Sequence, residues 1–215
     1  MLYRILILFE NLFMAGRVLY NRIKLKSAGV VAGKNVRIQG KLNLILRGNS
    51  ENIVIGNDFL CKGDLEFYIR ENGQIKLADS IQMDGEVHLT AANNAVLSIG
   101  RGTRICTHFT VNAGESVTIG RNCLIPDFCH INASDHKIDI GEPFLKQGYV
   151  HAPVTIGDDV MFGAFTCIKR GAEVEDGVVM GYHSVVAGKI EKNTIVAGIP
   201  AKMIKKRSGG TTDDG

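Results

Sequence analysis

The chain has 215 residues, enough for one or two domains, and its 45% hydrophobic and 22% charged residues are typical of a globular protein. The net charge is only +3 and no basic-aromatic motif accompanies it, so nucleic acid is not an expected partner. Glycine is frequent, with 25 residues against 4 prolines, which favours a fold with many tight turns over one built from long helices.

The N-terminal segment is apolar and has helical periodicity. Its hydrophobic residues cluster at helical spacing: Leu2, Ile5, Leu6, Phe9, Leu12, Phe13 and Leu19. Arg4, Glu10 and Arg17 interrupt it, so it lacks the ~18 uncharged residues of a membrane span, and it has no signal-peptide cleavage site. We expect an amphipathic helix over residues 1–27. Two placements stay open: residues 1–26 contact an anionic membrane peripherally, or the helix packs on its own chain or a neighbouring subunit.

A loose repeat follows the helix. Apolar anchors recur at Ile55, Leu77, Ile99 and Ile119, with start-to-start distances of 22, 22 and 20 residues. Repeats of this length indicate a solenoid, in which each repeat is one coil. Residues 28–54 are expected to form an irregular first coil that caps it.

From Ile156 the sequence reads in sixes: IGDDVM, FGAFTC, IKRGAE, VEDGVV, MGYHSV and VAGKIE. The first residue of every hexad is apolar, and the fifth is small or β-branched. A period of six is neither helical nor a simple strand alternation, and it predicts a triangular solenoid in which three hexads close one coil. Glycines in second place, Gly157, Gly163 and Gly181, suit the corners. No cysteine pair has metal-site or redox spacing, so all five are interpreted as reduced packing residues: Cys61, Cys106, Cys123, Cys129 and Cys167.

The hexads stop within "INASDHKIDI", residues 131–140, and resume at Val154. The interruption predicts a loop over about residues 137–153 that leaves the solenoid.

Residues 119–206 resemble the hexapeptide-repeat acyltransferases, in particular galactoside and maltose acetyltransferases and the O-acetyltransferases of capsule and O-antigen sugars. The end of the chain, "IVAGIPAKMIKK", matches the terminus of that family. The resemblance covers roughly residues 50–206 and implies an all-β fold, a left-handed parallel β-helix over residues 28–206 with an N-terminal amphipathic helix and an extruded loop. It also implies a homotrimer with acetyl-CoA, as co-substrate, in the groove between adjacent solenoids. The polar tail at 207–215 is expected to be disordered.

The resemblance places a catalytic histidine just before the loop, which in this sequence is His136. Acetyl transfer to a hydroxyl requires proton removal as the oxygen attacks, and imidazole, with an ordinary pKa of ~6.5, suits that task. A partner must orient the ring, and Asp135, Glu142 and a backbone carbonyl are all candidates. His108 and His151 are candidate acceptor-binding residues.

The acyl donor is assigned by position within the family pattern. The expected cofactor-binding residues are Met161, Ala164, Tyr182, Ala187 and Lys205. The family often has Trp at the position of Met161 and usually Ala at that of Tyr182, so the groove differs here. Carbonic anhydrases of the same fold place zinc-binding histidines where this chain has Ala164 and Lys169, so no metal is expected.

The sequence therefore predicts a cytoplasmic CoA-dependent acetyltransferase that modifies a sugar hydroxyl in surface polysaccharide or glycan biosynthesis, with possible peripheral attachment at the inner face of the cytoplasmic membrane. Two alternatives remain: an N-acetyltransferase of an amino sugar or nucleotide sugar, and a non-catalytic trimeric scaffold. Serine acetylation is disfavoured, because the helical N-terminal domain of that family is missing.

Overall fold

The structure is a computed structural model that describes residues 2–208. Its helices are α1 (Leu2–Ser27), a short 3-10 helix (Ser50–Asn52) and α2 (Phe144–Gln147). The strands are β1 (Val31–Ala32), β2 (Arg37–Ile38), β3 (Leu42–Gly48), β4 (Ile53–Ile55), β5 (Leu60–Cys61), β6 (Leu65–Glu71), β7 (Gln74–Leu77), β8 (Gln82–Met83), β9 (Val87–Ala91), β10 (Val96–Ile99), β11 (Arg104–Ile105), β12 (Phe109–Ala113), β13 (Val117–Ile119), β14 (Leu124–Ile125), β15 (His130–Asn132), β16 (Ser134–His136), β17 (Tyr149–His151), β18 (Val154–Ile156), β19 (Cys167–Lys169), β20 (Glu173–Val174), β21 (Val179–Met180), β22 (Val185–Val186), β23 (Lys189–Ile190), β24 (Thr194–Ala197) and β25 (Lys202–Lys206).

Most of these strands stack into three parallel sheets that form the faces of a solenoid of about seven turns. The first sheet runs β1-β4-β7-β10-β13-β18-β20-β23, and the third runs β3-β6-β9-β12-β15-β19-β22. The second runs β2-β5-β8-β11-β14, and Met161 bridges Leu124 to Val179 to continue it into β21 and β24. Each complete coil contributes one strand to each face, except that Met161 alone represents one coil on the second face.

The observed register confirms the predicted coil spacing. Ile55 pairs with Leu77, Leu77 with Ile99, and Ile99 with Ile119. These anchors are 1–2% exposed, and the apolar first residues of the later hexads are buried in the same core. Inward residues of successive coils therefore stack on one another along the axis, because parallel strands in register keep equivalent side chains on the same side.

The expectation of an irregular first coil over residues 28–54 is wrong. Strand β1 pairs with β4, β2 with β5, and the seven residues of β3 with β6, so the first coil is regular on all three faces. The sequence does not show this because the spacing of six through the buried residues Val30, Val36 and Leu42 is lost over the long strand β3 and the 3-10 helix that follows it.

Helix α1 covers the open edge that the first coil would otherwise leave. Asn21 Nδ2 donates to the carbonyl oxygens of Ile38 and Gly40, both at 2.9 Å, and Lys24 Nζ donates to that of Leu42 at 2.7 Å. Leu25 is buried in the core beneath the helix. Edge strands with unpaired carbonyls invite further pairing, and a covering helix is one of the usual ways to prevent it.

The second-place glycines lie at the corners, as expected, and the structure shows why glycine is needed there. Gly163 and Gly181 do not adopt a positive φ, whereas corner residues such as Asp58 and Asn122 do. A Cβ on Gly163 would instead lie 2.5 Å from the Gly181 carbonyl carbon of the next coil. These glycines therefore allow close stacking of the coils, while other corner residues, Asp58 and Asn122 among them, adopt the left-handed conformation that turns the chain.

The remaining expectations concern the cysteines and the ends of the chain. All five cysteines are free thiols, and the interpretation as packing residues is confirmed for Cys61, Cys123 and Cys129, which are buried in the core, whereas Cys106 and Cys167 are only partly buried. Arg207, which lies in the segment expected to be disordered, donates to the Gly177 carbonyl oxygen at 2.8 Å, and residues 209–215 of that segment lie outside the described residues. Among residues 2–208, no helix combines the length and hydropathy needed to cross a bilayer.

Candidate active site

The interruption of the hexads forms a two-stranded arm. Strand β16 continues from the third sheet and pairs antiparallel with β17, which leads back to the first sheet through β18. The tip is closed by Gln147 of α2, whose side chain accepts from the Asp139 N–H at 2.7 Å and donates to the Asp139 carbonyl at 2.9 Å. The arm begins at Ser134, so His136 lies within it and not before it.

One face of the arm carries the candidate catalytic group. Residues paired across an antiparallel ladder point to the same side, and the pairs here are Ser134 with His151 and His136 with Tyr149. Ser134 Oγ lies 2.8 Å from His151 Nδ1, and the His136 and Tyr149 ring centroids are 4.3 Å apart. The Tyr149 and His151 rings follow at 6.0 Å. The face therefore holds two imidazoles, a phenol and a hydroxyl.

This face looks toward the preceding coil. A Cβ on Gly114, in that coil, would lie 3.0 Å from His151 Nδ1 and 3.2 Å from Ser134 Cβ. Gly114 thus leaves the space in which the buried Ser134 and the exposed His151 meet.

The opposite face of the arm carries Asp135 and looks toward the following coil. Neighbouring residues of a strand point to opposite sides, so the Asp135 carboxylate is directed away from His136. Its Oδ2 accepts from Arg170 Nε at 2.8 Å, and its Oδ1 accepts from Asn132 Nδ2 at 3.4 Å. Glu142, the other acidic candidate for orienting His136, lies near the tip of the arm, where its carbonyl accepts from Gln147. The contact that the structure gives the His136 ring is Tyr149.

A cleft of about 590 Å³ separates the arm from the solenoid. It is lined by Asp135, His136, Lys137, Ile138, Asp139, Val150, Lys169 and Arg170. Three basic side chains against two carboxylates, one of which is paired with Arg170, suit an anionic ligand. Sequence reasoning missed Ser134, Tyr149 and the basic pair Lys169 and Arg170 as site residues. The sequence carries no signal for this contact, because Arg170 and Asp135 are 35 residues apart and meet only through the stacking of the coils.

The residues predicted to bind the acyl donor are spread over two corners, the second sheet and strand β25. Ala164 and Tyr182 occupy equivalent positions of successive coils at the corner between the second and third sheets, and the half-exposed Met161 lies on the adjoining second sheet. Ala187 follows β22 at the corner between the third and first sheets, which is the corner of the arm. Lys205 lies on β25, which pairs with β24. One chain does not bring all five together.

His108 is also remote from the arm. It directly precedes β12, whereas the arm leaves from the other end of the third sheet. Its ring begins a ladder of stacked aromatic rings, His108, Phe128, Phe165 and His183, with centroids 4.6, 4.8 and 4.7 Å apart. Of the two candidate acceptor residues, only His151 therefore lies beside His136.

Two curated proteins illustrate what the sequence is similar to. The chain is 31% identical over 160 residues to "Probable acetyltransferase Rv3034c" of Mycobacterium tuberculosis, covering 74% of this chain and 53% of that protein. It is 31% identical over 147 residues to "Putative lipopolysaccharide biosynthesis O-acetyl transferase WbbJ" of Escherichia coli, covering 65% of this chain and 75% of WbbJ. The chain thus spans about half the length of the first relative and three quarters of the second. No protein-family model matches it.

Solved structures share the solenoid. The polySia-specific acetyltransferase NeuO superimposes with a TM-score of 0.65 at 25% identity and covers 86% of each chain. A galactoside acetyltransferase in complex with coenzyme A superimposes with a TM-score of 0.53 at 26% identity, over 62% of this chain and 64% of that one. The likeness confirms the predicted fold class. Because 31% identity extends over three quarters of WbbJ and the coils match in both sequence and structure, the chain belongs to the hexapeptide-repeat acyltransferases with a left-handed parallel β-helix.

Proposed function

We propose that this protein transfers the acetyl group of acetyl-CoA to a sugar hydroxyl in the synthesis of a surface polysaccharide or glycan, with His136 as the general base. The observation that carries the proposal is the position of His136, which is exposed on the arm that interrupts an otherwise regular solenoid and lines the cleft beside that arm. Support for the substrate class comes from the relatives, since WbbJ and the galactoside and polySia enzymes are named for acetyl transfer to sugars or saccharides.

In the proposed step, a nitrogen of neutral His136 takes the proton of the acceptor hydroxyl as its oxygen attacks the thioester carbonyl carbon. The tetrahedral intermediate collapses, the carbon–sulfur bond breaks, and the CoA thiolate leaves. The protonated imidazole then returns its proton to the thiolate, so that the products are the acetyl ester and free CoA. The Tyr149 ring lies beside the base, tilted by 38° to the imidazole plane.

His151 is proposed to bind the acceptor next to the base. Ser134 Oγ, 2.8 Å from His151 Nδ1, holds the ring and leaves Nε2 free to contact a second hydroxyl of the sugar. The cations of the cleft, Lys137, Lys169 and Arg170, are proposed to contact the phosphates of the donor or the carboxylate of an acidic sugar.

The placement of the donor-binding residues supports a homotrimer. Ala164 and Tyr182 lie at one edge of the triangular prism and Ala187 at another, so a single donor contacts both groups only in a groove between two copies. Exposed apolar residues on and beside the second sheet, Leu124, Phe128, Met161 and Phe165, are available for such a contact. The cytoplasmic location expected from the sequence stays a prediction.

The test is thiol release from acetyl-CoA against a panel of neutral sugars, acidic glycans, amino sugars and nucleotide sugars. Wild-type protein should release thiol with one class of hydroxyl acceptor, and His136→Ala should lower kcat by about 10²- to 10⁴-fold, the usual contribution of a general base. His88→Ala is the matched control, because His88 is a half-exposed histidine of the lower coils whose contacts are Glu66 and Glu86.

Three results would change the assignment. Equal rates in wild type and His136→Ala would remove His136 as the base. Turnover confined to amino sugars, with an amide product by mass spectrometry, would favour the N-acetyltransferase. No turnover together with no rise in Tm on adding acetyl-CoA would favour the scaffold, because a ligand that binds the native state must stabilise it.

A further inference from the structure

Helix α1 has an exposed apolar face along its length. Six large side chains of this face are 58–67% exposed: Phe9, Leu12, Phe13, Leu19, Tyr20 and Ile23. By contrast, Asn21 and Leu25 of the same helix are 1% exposed against the solenoid. Contiguous apolar surface of this kind on a folded protein marks a contact site with a partner or a membrane.

In the C-terminal half of α1 the exposed face and the packed face lie on opposite sides of the helix, whereas nearer the N-terminus Tyr3, Ile7 and Met14, on the side of Asn21 and Leu25, are exposed as well. An α-helix turns by about 100° per residue, so Leu12, Leu19 and Ile23 lie within about 40° of one another and roughly opposite to Asn21 and Leu25. The apolar face therefore points away from the capped end of the solenoid. Packing on the chain's own solenoid and contact with a membrane or partner are therefore not alternatives, because α1 uses one face for the solenoid and leaves the other for the second contact.

Basic residues flank the apolar face. Arg4, Arg22 and Lys26 lie along one edge and Arg17 along the other, whereas Glu10 is the one acidic residue of the helix sequence. The Arg17 guanidinium lies over the Phe13 ring, 5.2 Å from its centroid, at the border of the apolar face. This charge distribution is complementary to a surface that is apolar within and anionic at its rim, as in a bilayer with acidic headgroups.

A groove continues the apolar face onto the solenoid. It encloses about 560 Å³ between α1 and the first coil, and its walls include Leu19, Ile23 and Val30 with Arg22 and Lys26 beside them. Apolar walls beside two cations match the acyl chain and headgroup of an anionic lipid.

We propose that α1 is an in-plane anchor that docks this protein on an anionic membrane surface, with its apolar face in the bilayer and the solenoid standing on its other face. The proposal goes beyond acetyl transfer and does not depend on it. A second copy of the chain is the other occupant that such a face could take, and the experiment separates the two.

The experiment is co-sedimentation of the full chain with vesicles of phosphatidylglycerol and phosphatidylcholine, compared with phosphatidylcholine alone. Wild-type protein should bind the anionic vesicles and be released by salt. The variant Leu12→Glu/Ile23→Glu should lose binding by at least about tenfold, since it places charge in the acyl region. Arg22→Gln should weaken binding by about fivefold, the loss of one surface cation. Leu145→Glu, at an apolar residue of the arm that is 93% exposed, more than Leu12 or Ile23, is the control and should bind as wild type does.

Light scattering and circular dichroism of the same variants complete the test. The helix content and oligomeric state of Leu12→Glu/Ile23→Glu should equal those of the wild type, because both substitutions lie on the face of α1 that does not contact the solenoid. Failure of the wild type to bind anionic vesicles would overturn the proposal. A variant that changes oligomeric state while vesicle binding persists would also overturn it, and would assign the face to a contact between copies. Neither readout uses acetyl-CoA, so acetyltransferase activity can fail or succeed independently.

Discussion

The contact that seats α1 on the solenoid can be tested through Asn21. Its amide donates two hydrogen bonds to edge carbonyls in a position that is 1% exposed. Each such bond contributes about 0.5–1.5 kcal/mol, so Asn21→Ala removes about 1–3 kcal/mol of local stability. Within the described residues Asn21 Oδ1 is buried without a hydrogen-bond partner, and its removal returns part of that loss. We therefore expect a net cost of about 1–2 kcal/mol for Asn21→Ala.

Asn21→Asp is the sharper perturbation, because the side chain keeps its shape and loses both donors. At pH 7 its carboxylate would face the Ile38 and Gly40 carbonyl oxygens away from water, at a cost of about 3 kcal/mol or more. Asn11→Asp, on an exposed position of the same helix, is the control.

The assay is native-state amide hydrogen exchange followed by mass spectrometry, because a solenoid opens locally from its ends and a single global Tm would understate the effect. Exchange in peptides from residues 18–40 should accelerate in Asn21→Asp, while peptides from residues 154–196 keep their wild-type protection. Wild-type exchange throughout the Asn21→Asp protein would refute the reasoning, since the two hydrogen bonds would then contribute nothing to seating the helix.

Three further predictions concern single side chains. Ser134→Ala should release the His151 ring, observed by ¹⁵N NMR as a changed tautomer ratio; an unchanged ratio would show that Ser134 does not hold it. Burial lowers the pKa of His130, so the free energy of unfolding should fall as the pH drops below ~6.5, the pKa of histidine in the unfolded chain. His130→Asn should make this dependence on pH less steep. An equally steep dependence in the variant would show that His130 is not its source. Burial raises the pKa of Cys61 to about 12 and that of Cys129 to about 11, so both thiols should resist iodoacetamide at about pH 8 until the chain unfolds. The unfolding free energy should also decline above about pH 9, because only the thiols of the unfolded chain ionise there. Labelling of either cysteine in the native protein would count against this.

The solenoid was predictable from sequence because its inward side chains recur at fixed intervals. Each anchor from Ile55 to Ile119 pairs with the anchor one coil away. The number of residues between anchors therefore gives the register of the parallel strands. The first coil escaped this reading because its seven-residue strand β3 breaks the spacing of six. The hexads placed glycines at the corners, but the crowding that requires them comes from the next coil and leaves no local trace in the sequence.

The site was predictable only in part. The loss of the hexads located the arm and His136, but not the pairing of β16 with β17 that places Tyr149 and His151 beside it. Strand alternation directs Asp135 away from His136, and its partner Arg170 belongs to the following coil. Such contacts depend on which coils stack on the two faces of the arm, information that a linear motif does not contain.

The shortening of the strands in the third sheet has a consequence for how an acceptor approaches. Strands β3 and β6 have seven residues each, β9 and β12 five, and β15, from which the arm leaves, only three. The solenoid therefore narrows in steps, and the arm overhangs a terrace made by the wider coils below it. Because Ser134 and His151 meet over Gly114, the face with His136 looks down onto this terrace, toward the end that α1 closes. Four strand spacings separate β15 from β3, about 19 Å. For the glycan acceptor proposed above, the terrace offers a path to His136 that begins on the side of α1 and has a length set by the number of coils.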